Sequence, residues 1–380
     1  GTNGKTTVCT VVEQALRALG HKVGRVGTTG NTIDGNPAGG AFTTPEAPEL
    51  QALLGRMRDA GCTEVAMEAS SHGLAQHRVD GTVFHTAVFT NLTQDHLDFH
   101  GTMAAYREAK GRLFRELLRR EGGAPRAVLC ADDPAWTEMG APEDRWTYGF
   151  AEGADLRIAA MHASAQGTTL TLRTPEGEVA LRSPMVGRHN ALNLVAAYGV
   201  LRTLDVSVPD AARGLAAASG AAGRLERVPD PSGRRLVIVD FAHSDDALAN
   251  VLPAVRELVS GQVWVVFGAG GDRDRGKRPK MAAVAEALAD RVVVTSDNPR
   301  TEDPRAIVDQ IVAGLAHPER ALVEVDRARA IALAIGSAAP GDAVLIAGKG
   351  HETYQEIAGI KHPFDDRQVA ARALAGGGER

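Results

Sequence analysis

The first seven residues, Gly1-Thr2-Asn3-Gly4-Lys5-Thr6-Thr7, form the back half of a phosphate-binding loop and constrain the fold more than anything else in the chain. Such a loop works only where consecutive backbone N–H groups converge at a helix N-terminus, whose dipole also favours phosphate. Around Gly4 the N–H groups can share one concavity. Lys5 would reach the β- and γ-phosphates of a nucleoside triphosphate, and the Thr6 hydroxyl would ligate Mg²⁺. The helix this requires is legible in VCTVVEQALRALG, which has an apolar face and closes at Gly20. The full pattern also needs an earlier glycine and a strand feeding the turn. Both, like an initiator Met, would lie before Gly1, so the chain reads as a fragment.

At 380 residues the chain is long enough for two domains with cores of their own. A net charge of -5 argues against a nucleic-acid surface, and no block of like charge suggests a membrane-binding face. Cys9, Cys62 and Cys130 are far apart, odd in number and without C-x-x-C spacing, as expected of small buried hydrophobes in a reducing cytoplasm. No apolar stretch approaches the length of a membrane span.

Apolar β-rich runs alternate with helical patterns, which predicts an α/β fold with mostly parallel sheets. The strand candidates are TEVAMEAS, HTAVFTNLT, RAVLCADD, RLVIVDFA, VWVVFGAGG, RVVVTSDN and AVLIAGKG. Nearly all end in polar residues or glycine, which suits ligand binding beyond the carboxyl ends of the strands. Between Asp155 and Pro184 the pattern changes to an antiparallel β excursion, followed by helices from Asn190 to about Leu204 and near Ala211 to Ala218. Gly220 to Gly223 then breaks the chain and a second strand-helix series begins, giving domains 1–222 and 223–380, the latter Rossmann-like. The tail Gly376 to Arg380 has no pattern and reads as disordered. GAGGDR resembles a dinucleotide fingerprint, but Arg273 stands where its third glycine is required, so a glycine-rich turn suffices.

Glu68 ends the first of these runs, where a carboxylate beside a phosphate loop would bind Mg²⁺. The next run leads into a loop crowded with Asp95, His96, Asp98 and His100 at the same sheet edge. Any one of these histidines alone reads as an ordinary loop residue.

GTNGKTT, MEASSHGLAQHRV, FTNLTQDHLDFHG and YREAKGRLF, in that order, resemble the central domain of the Mur ligases, the ATP-dependent amide-forming enzymes of peptidoglycan synthesis. GRHNALNLVAAYG, GRLERV, DFAH, GAGGDRDRGKRPKM, DNPRTED, GKGHETYQ and FDDRQVA extend the resemblance to the C-terminus. The second half is most similar to the member that adds the third stem residue to UDP-N-acetylmuramoyl-L-alanyl-D-glutamate. That member has a further N-terminal uridine-nucleotide domain, to which nothing in this sequence corresponds.

The resemblance implies that Gly1 to Thr7 hold ATP and that Lys5, Glu68, His96 and Lys110 form the catalytic set. Thr6 and Glu68 would bind one Mg²⁺, and His96 a second together with Lys110 carbamylated by CO₂. Without the family, Lys110 reads as a solvated helix lysine. Asn190 and Asn193 would lie near adenine, with helix capping the alternative for Asn190. Arg224 and Asp240 would serve phosphate and ribose. Thr43, Thr44, Ser70, Gln76 and Arg78 would hold the UDP-MurNAc-dipeptide, although Thr-Thr-Pro-Glu equally suits the start of a helix. The incoming amino acid would be read by Arg273, Asp297, Asn298, Pro299, Arg300, Gly348 and Glu352. An arginine fork suits the far carboxylate of meso-diaminopimelate, and Glu352 its distal ammonium. Asp245 departs from the proline expected in the family, which leaves the role of His243 open. The resemblance also implies a cytoplasmic monomer acting on small molecules. A sibling ligase adding L-lysine or another amino acid, a folylpolyglutamate synthase and a non-catalytic ATP-binding module are the alternatives.

Overall fold

The computed structural model describes residues 1–40, 42–118, 126–164 and 166–376. The rest of the tail read above as disordered lies outside them. The chain divides into two compact units: Gly1–His162 with Gly167–Pro184 and Arg188–Ala221, and Ala163–Gln166 with Met185–Gly187 and Ala222–Arg380.

In the first unit α1 (Lys5–Ala18) is followed by β1 (Val23–Val26), the short strands β2 (Thr32–Ile33) and β3 (Asn36–Pro37), α2 (Ala47–Asp59), β4 (Glu64–Met67) and α3 (Ser71–Ala75). Then come β5 (Thr86–Phe89), α4 (Leu97–His100), α5 (Met103–Arg112), β6 (Arg126–Cys130), β7 (Arg145–Gly149), β8 (Leu156–Ser164), β9 (Gly167–Thr174), β10 (Gly177–Ser183), α6 (Arg188–Thr203) and α7 (Val208–Ala216). Two sheets form, in the orders β3-β2-β1-β4 and β10-β9-β8-β7-β6-β5. β1 and β4 are parallel, as are β5 to β8 along their sheet. The excursion expected to be antiparallel is so between β9 and β10, whereas β8 joins β7 in parallel through the pair Tyr148 and Leu156.

Val8, Val11, Val12, Ala15 and Leu16 bury one face of α1, which packs on α6 and α7. The helix ends as its sequence indicates: the N–H of Gly20 bonds to Arg17 O and that of His21 to Leu16 O, the two bonds of a Schellman cap. α6 is buried on nearly every side from Asn190 to Thr203. An amphipathic stripe is therefore a poor guide to its limits.

The second unit contains β11 (Glu226–Val228), β12 (Leu236–Asp240), α8 (Asp245–Arg256), β13 (Val263–Phe267), α9 (Lys277–Leu288), β14 (Arg291–Val294), α10 (Pro304–Val312) and β15 (Leu322–Val323). It continues with α11 (Arg327–Ser337), β16 (Ala343–Ala347), the hairpin β17 (Tyr354–Ile357) and β18 (Ile360–Pro363), and α12 (Asp366–Gly376). The sheet order is β11-β12-β16-β13-β14-β15, parallel except for β11. Period-2 alternation explains both cores. Leu236, Ile238, Val265, Phe267 and Leu345 face Leu248, Leu252, Met281 and Ile311 of α8, α9 and α10. Val237, Val239, Val266, Val344 and Ile346 face Ile331, Ile335 and Val369 of α11 and α12.

All seven strand candidates are strands: β6, β12, β13, β14 and β16 are inner strands whose burial on both faces makes them read as unbroken apolar runs, whereas β4 and β5 each end a sheet. Of the three unpaired thiols only Cys130 is fully buried, and its pKa is pushed up to about 11 by that burial. Among the described residues no helix is long and apolar enough to cross a membrane.

Candidate active site

Gly4 caps α1 with φ 85°, a left-handed conformation that disfavours a side chain. A Cβ there would also stand 2.5 Å from Asn193 Oδ1. The loop is pinned to the segment after β5. Thr2 N donates to Asn91 O at 2.8 Å, Asn3 N to Asn91 Oδ1 at 2.8 Å, and Thr90 Oγ1 to Asn3 O at 2.6 Å. Lys5 Nζ donates to Gly1 O at 3.0 Å and Thr2 O at 2.7 Å, so its ammonium already lies over the loop.

Thr6 Oγ1 donates to Glu68 Oε2 at 2.9 Å. The Glu68 carboxylate, at the end of β4, also accepts Thr28 N at 2.8 Å and Thr28 Oγ1 at 3.1 Å. The donors in these bonds are neutral, and the hydroxyl and carboxylate beside a phosphate loop fit a Mg²⁺ ion. Among the described residues no group of three or more His, Cys, Asp or Glu could hold a metal unaided.

Glu68 is continuous with a second cluster. Thr44 Oγ1 donates to Glu68 O at 2.8 Å and accepts Ser70 N at 3.0 Å. Arg78 Nη1 donates to Thr44 O at 3.0 Å, and its other nitrogen bonds Gln76 Oε1. Thr43 Oγ1 lies 2.9 Å from Thr28 Oγ1. Thr43, Thr44, Ser70, Gln76 and Arg78 therefore gather around one strand end. α2 begins only at Ala47, with Pro48 in its first turn, so the two threonines precede that helix.

The 95–100 loop contributes an aromatic group. His72 lies 4.8 Å from His96 and 5.6 Å from His100, ring to ring, and His100 lies 5.1 Å from Tyr106. Burial, followed by neighbouring histidines, lowers the pKa of His72 and of His100. Thr102 caps α5, and Lys110 falls on its buried face, 5% exposed. Its Nζ donates to Gly1 O at 3.0 Å and stands 4.3 Å from the Tyr106 ring centre. Burial, then Lys5, lowers its pKa to about 7. Lys110 is thus no solvated lysine. His96 also lies near Tyr106, at 6.3 Å ring to ring. Asn193 Nδ2 donates to Asn190 Oδ1 at 3.3 Å inside α6, joining the two asparagines next to Gly4.

In the second unit Asp240 accepts Leu225 N at 2.7 Å and Ala242 N at 2.9 Å, and burial raises its pKa. Arg224 lies over the Phe241 ring at 5.1 Å. Asp245 occupies the first turn of α8 behind the Ser244 cap, where the helix dipole favours a carboxylate. The departure from proline is therefore structurally compatible, and His243 Nδ1 stays 2.7 Å from Phe241 O.

The loops after β14 and β16 meet. Asn298 Nδ2 donates to Glu352 Oε2 at 2.7 Å. Lys349, fully buried and not singled out from sequence, donates to Asn298 Oδ1 at 2.9 Å and Glu352 Oε2 at 3.1 Å. Asp297 Oδ2 is buried with no hydrogen-bond partner among the described residues, and at Gly348, φ 120°, a Cβ would come within 2.5 Å of it. Arg300 Nη1 donates to Gly271 O at 2.6 Å, and its Nε lies 3.8 Å from Glu356. Pro299 is buried, whereas Arg273 is exposed at the loop rim. Beneath both loops the guanidinium of Arg327 donates to Ser296 O at 3.2 Å and Ala347 O at 3.0 Å. Asp366 holds it through bonds of 2.8 and 2.7 Å, and both residues are buried.

A phosphate loop backed by a buried acidic strand end, in one chain with a doubly wound unit carrying paired polar loops, defines a nucleotide-dependent ligase. Residues 1–201 match the Mur ligase middle domain and residues 223–350 the Mur ligase, glutamate ligase domain. The chain belongs to the Mur ligase family, whose members are ATP-dependent amide ligases. It is 49% identical over 382 residues to the UDP-N-acetylmuramoyl-L-alanyl-D-glutamate--2,6-diaminopimelate ligase of a Synechococcus strain, covering 98% of this chain and 76% of that one. The ligase of the same name from Gloeobacter violaceus is 48% identical, covering 99% and 76%. A solved structure of a ligase of that name matches with TM-score 0.77 and 39% identity, over 100% of this chain and 78% of that one. A Mycobacterium tuberculosis folylpolyglutamate synthase, 20% identical with TM-score 0.69, shares the fold alone.

Proposed function

We propose that the chain is the catalytic body of a ligase that adds meso-diaminopimelate to UDP-N-acetylmuramoyl-L-alanyl-D-glutamate with consumption of ATP. What carries this reading is the pairing of the 297–300 and 348–352 loops, in a chain 49% identical to ligases of that name. The terminal carboxylate of the bound dipeptide takes the γ-phosphoryl group of ATP, giving an acyl phosphate and ADP. The amine of the amino acid then attacks the acyl carbon, and collapse of the tetrahedral adduct releases phosphate. Lys5 and the loop N–H groups position the triphosphate and offset charge that would repel the carboxylate nucleophile. Thr43, Thr44, Ser70, Gln76 and Arg78 hold the dipeptide, while Asn190, Asn193, Arg224 and Asp240 serve the nucleotide. Thr6 and Glu68 would hold one Mg²⁺, and His96 with Lys110 a second; when bound, these ions supply further charge neutralisation. The substrates are small molecules, and the enzyme works as a cytoplasmic monomer.

Lys110 carries a carbamate in this reading. Its buried nitrogen lies against the phosphate loop, where an ammonium would add a second cation beside Lys5. The neutral amine attacks CO₂, a proton leaves, and the product is an anionic oxygen ligand. With a pKa near 7, the amine is available above that pH and protonated below it. Carbon-13 bicarbonate should give a carbamate NMR signal that fades below about pH 7 and is missing in Lys110→Arg. Activity indifferent to CO₂ removal, with no such signal, would sink the assignment.

Lys349 holds Asn298 and Glu352 in place for the amino acid. Lys349→Met keeps the volume but removes two bonds, and should raise KM for meso-diaminopimelate about 10-fold, the scale of a lost buried hydrogen bond to a charged group. KM for ATP should not change. A matching rise in both would make Lys349 a stabiliser of the whole unit.

A further inference from the structure

The motifs GAGGDRDRGKRPKM and DNPRTED each carry residues that the proposed reaction does not use, and in the second unit two of these meet. Arg278, in the first turn of α9, is fully buried, and Glu302 lies in the loop after β14. Arg278 Nη1 donates to Glu302 Oε2 at 3.0 Å, and its Nη2 to Glu302 Oε1 at 2.8 Å. Nη1 also donates to Gln310 Oε1 of α10 at 2.7 Å. A two-bond fork of guanidinium and carboxylate fixes orientation as well as distance. The Arg278 guanidinium, followed by the Asp272 amide, holds the Glu302 carboxyl down to about 2, so the pair stays charged at any pH near neutral.

Glu302 reaches across to the loop after β13. Its Oε1 accepts Asp272 N at 2.7 Å, and Asp272 in return accepts Thr301 N at 3.2 Å and Thr301 Oγ1 at 2.7 Å. Gly271 N donates to Asn298 O at 2.9 Å, while Gly271 O accepts Arg300 Nη1 at 2.6 Å. Asp272 at φ 53° and Arg300 at φ 52° both hold a left-handed backbone without being glycine, a conformation that persists only where the surroundings over-determine it. The 270–273 and 298–302 turns are therefore bonded into one piece. Over Gly270 that piece brings two arginines together: a Cβ there would stand 2.9 Å from Arg300 Nη1 and 3.7 Å from Arg273 Cγ.

We infer that the Arg278–Glu302 pair is a positioning device for the incoming amino acid: it locks the two turns together so that Arg273 and Arg300 stand over Gly270 at one fixed spacing, as a seat for a carboxylate. Arg278 and Glu302 act through the two arginines and through the backbone of Gly271 and Asp272. Gly270 completes the device by leaving open the space from which a side chain would push the Arg300 guanidinium. The inference rests on the proposed role of Arg273 and Arg300 in reading the amino acid.

The test uses the full-length enzyme with Glu302→Gln, with Arg278→Met and Glu302→Leu together, and with Gly270→Ala. Replacing both members of a buried ion pair by apolar residues often leaves stability unchanged, so the double variant keeps the fold while losing the lock. Each variant should raise KM for meso-diaminopimelate about 10- to 100-fold and leave KM for ATP within about 2-fold of wild type. Hydrogen exchange at the amides of Asp272 and Thr301 should quicken about 10-fold or more in the two variants of the pair. Unchanged KM for meso-diaminopimelate in a folded variant, unaltered exchange in the variants of the pair, or an equal rise of KM for ATP would overturn the inference. Loss of the fold in both variants of the pair would overturn it too, by making the pair a stabiliser of the whole unit. A wild-type enzyme that ignores meso-diaminopimelate is a separate outcome: it overturns the proposed substrate, and the same comparison made with the amino acid it does use still decides the inference.

Discussion

Lys5→Ala should abolish ligation and leave the fold intact. Lys5 Nζ donates to the loop carbonyls Gly1 O and Thr2 O, and the residue is only partly buried and not among those of the core. In the proposed reaction this charge would face the β- and γ-phosphates, where a preorganised donor is typically worth about 10²–10³ in kcat. A lysine whose charge counts in both binding and transfer should lie at or beyond the top of that range. The measurement is ADP release by the full-length enzyme with both co-substrates, with each alone and with neither, in wild type and variant. Wild type should turn over ATP only when both are present. Steady hydrolysis without them, unaffected by Lys5→Ala, would remove the basis for a ligase.

Arg300→Ala should separate meso-diaminopimelate from L-lysine. The two amino acids differ by a carboxylate, and a site built to bond a polar group rejects the analogue lacking it by about 10⁴-fold. Removing one member of a buried charged pair costs about 3–5 kcal/mol, so kcat/KM for meso-diaminopimelate should fall by roughly 150- to 5,000-fold. L-lysine should be little affected or slightly improved. Arg300 also has a local role: its Nη1 bonds Gly271 O, and its φ is 52°. Equal losses for both amino acids would therefore mean that Arg300 shapes the turn and does not read the carboxylate.

The strands that sequence made most legible are inner ones buried on both faces, where an apolar run has no polar interruption; β4 and β5, at sheet ends, were legible through their apolar letters alone. β1 was hidden because Arg25 sits within it, buried and paired with Glu13 at 2.7 Å. β7 was hidden by the polar letters of RWTYG, although Thr147 is satisfied by Asp155. At the site, residues within one short motif were legible, since Lys5, Thr6 and Glu68 announce their chemistry through local context. Thr28, Tyr106 and Lys349 were not. Thr28 matters through Glu68, 40 residues away, and Lys349 through Asn298, 51 residues away. A lysine between two glycines reads as solvated until the fold supplies its buried partners.

The Arg327–Asp366 pair has a consequence for how substrate preference can change. Breaking a buried ion pair by removing one member costs about 3–5 kcal/mol, and here it would release two loop bases together, at Ser296 and Ala347. The tips beyond them, Arg300 and Glu352, do not touch that guanidinium in the bonds described. With the amino acid read at these tips as proposed, drift in its choice can proceed by exchanging side chains there, one loop at a time, while their common mooring stays fixed. A lineage changing its cell-wall diamino acid need not rebuild the platform from which that amino acid is read.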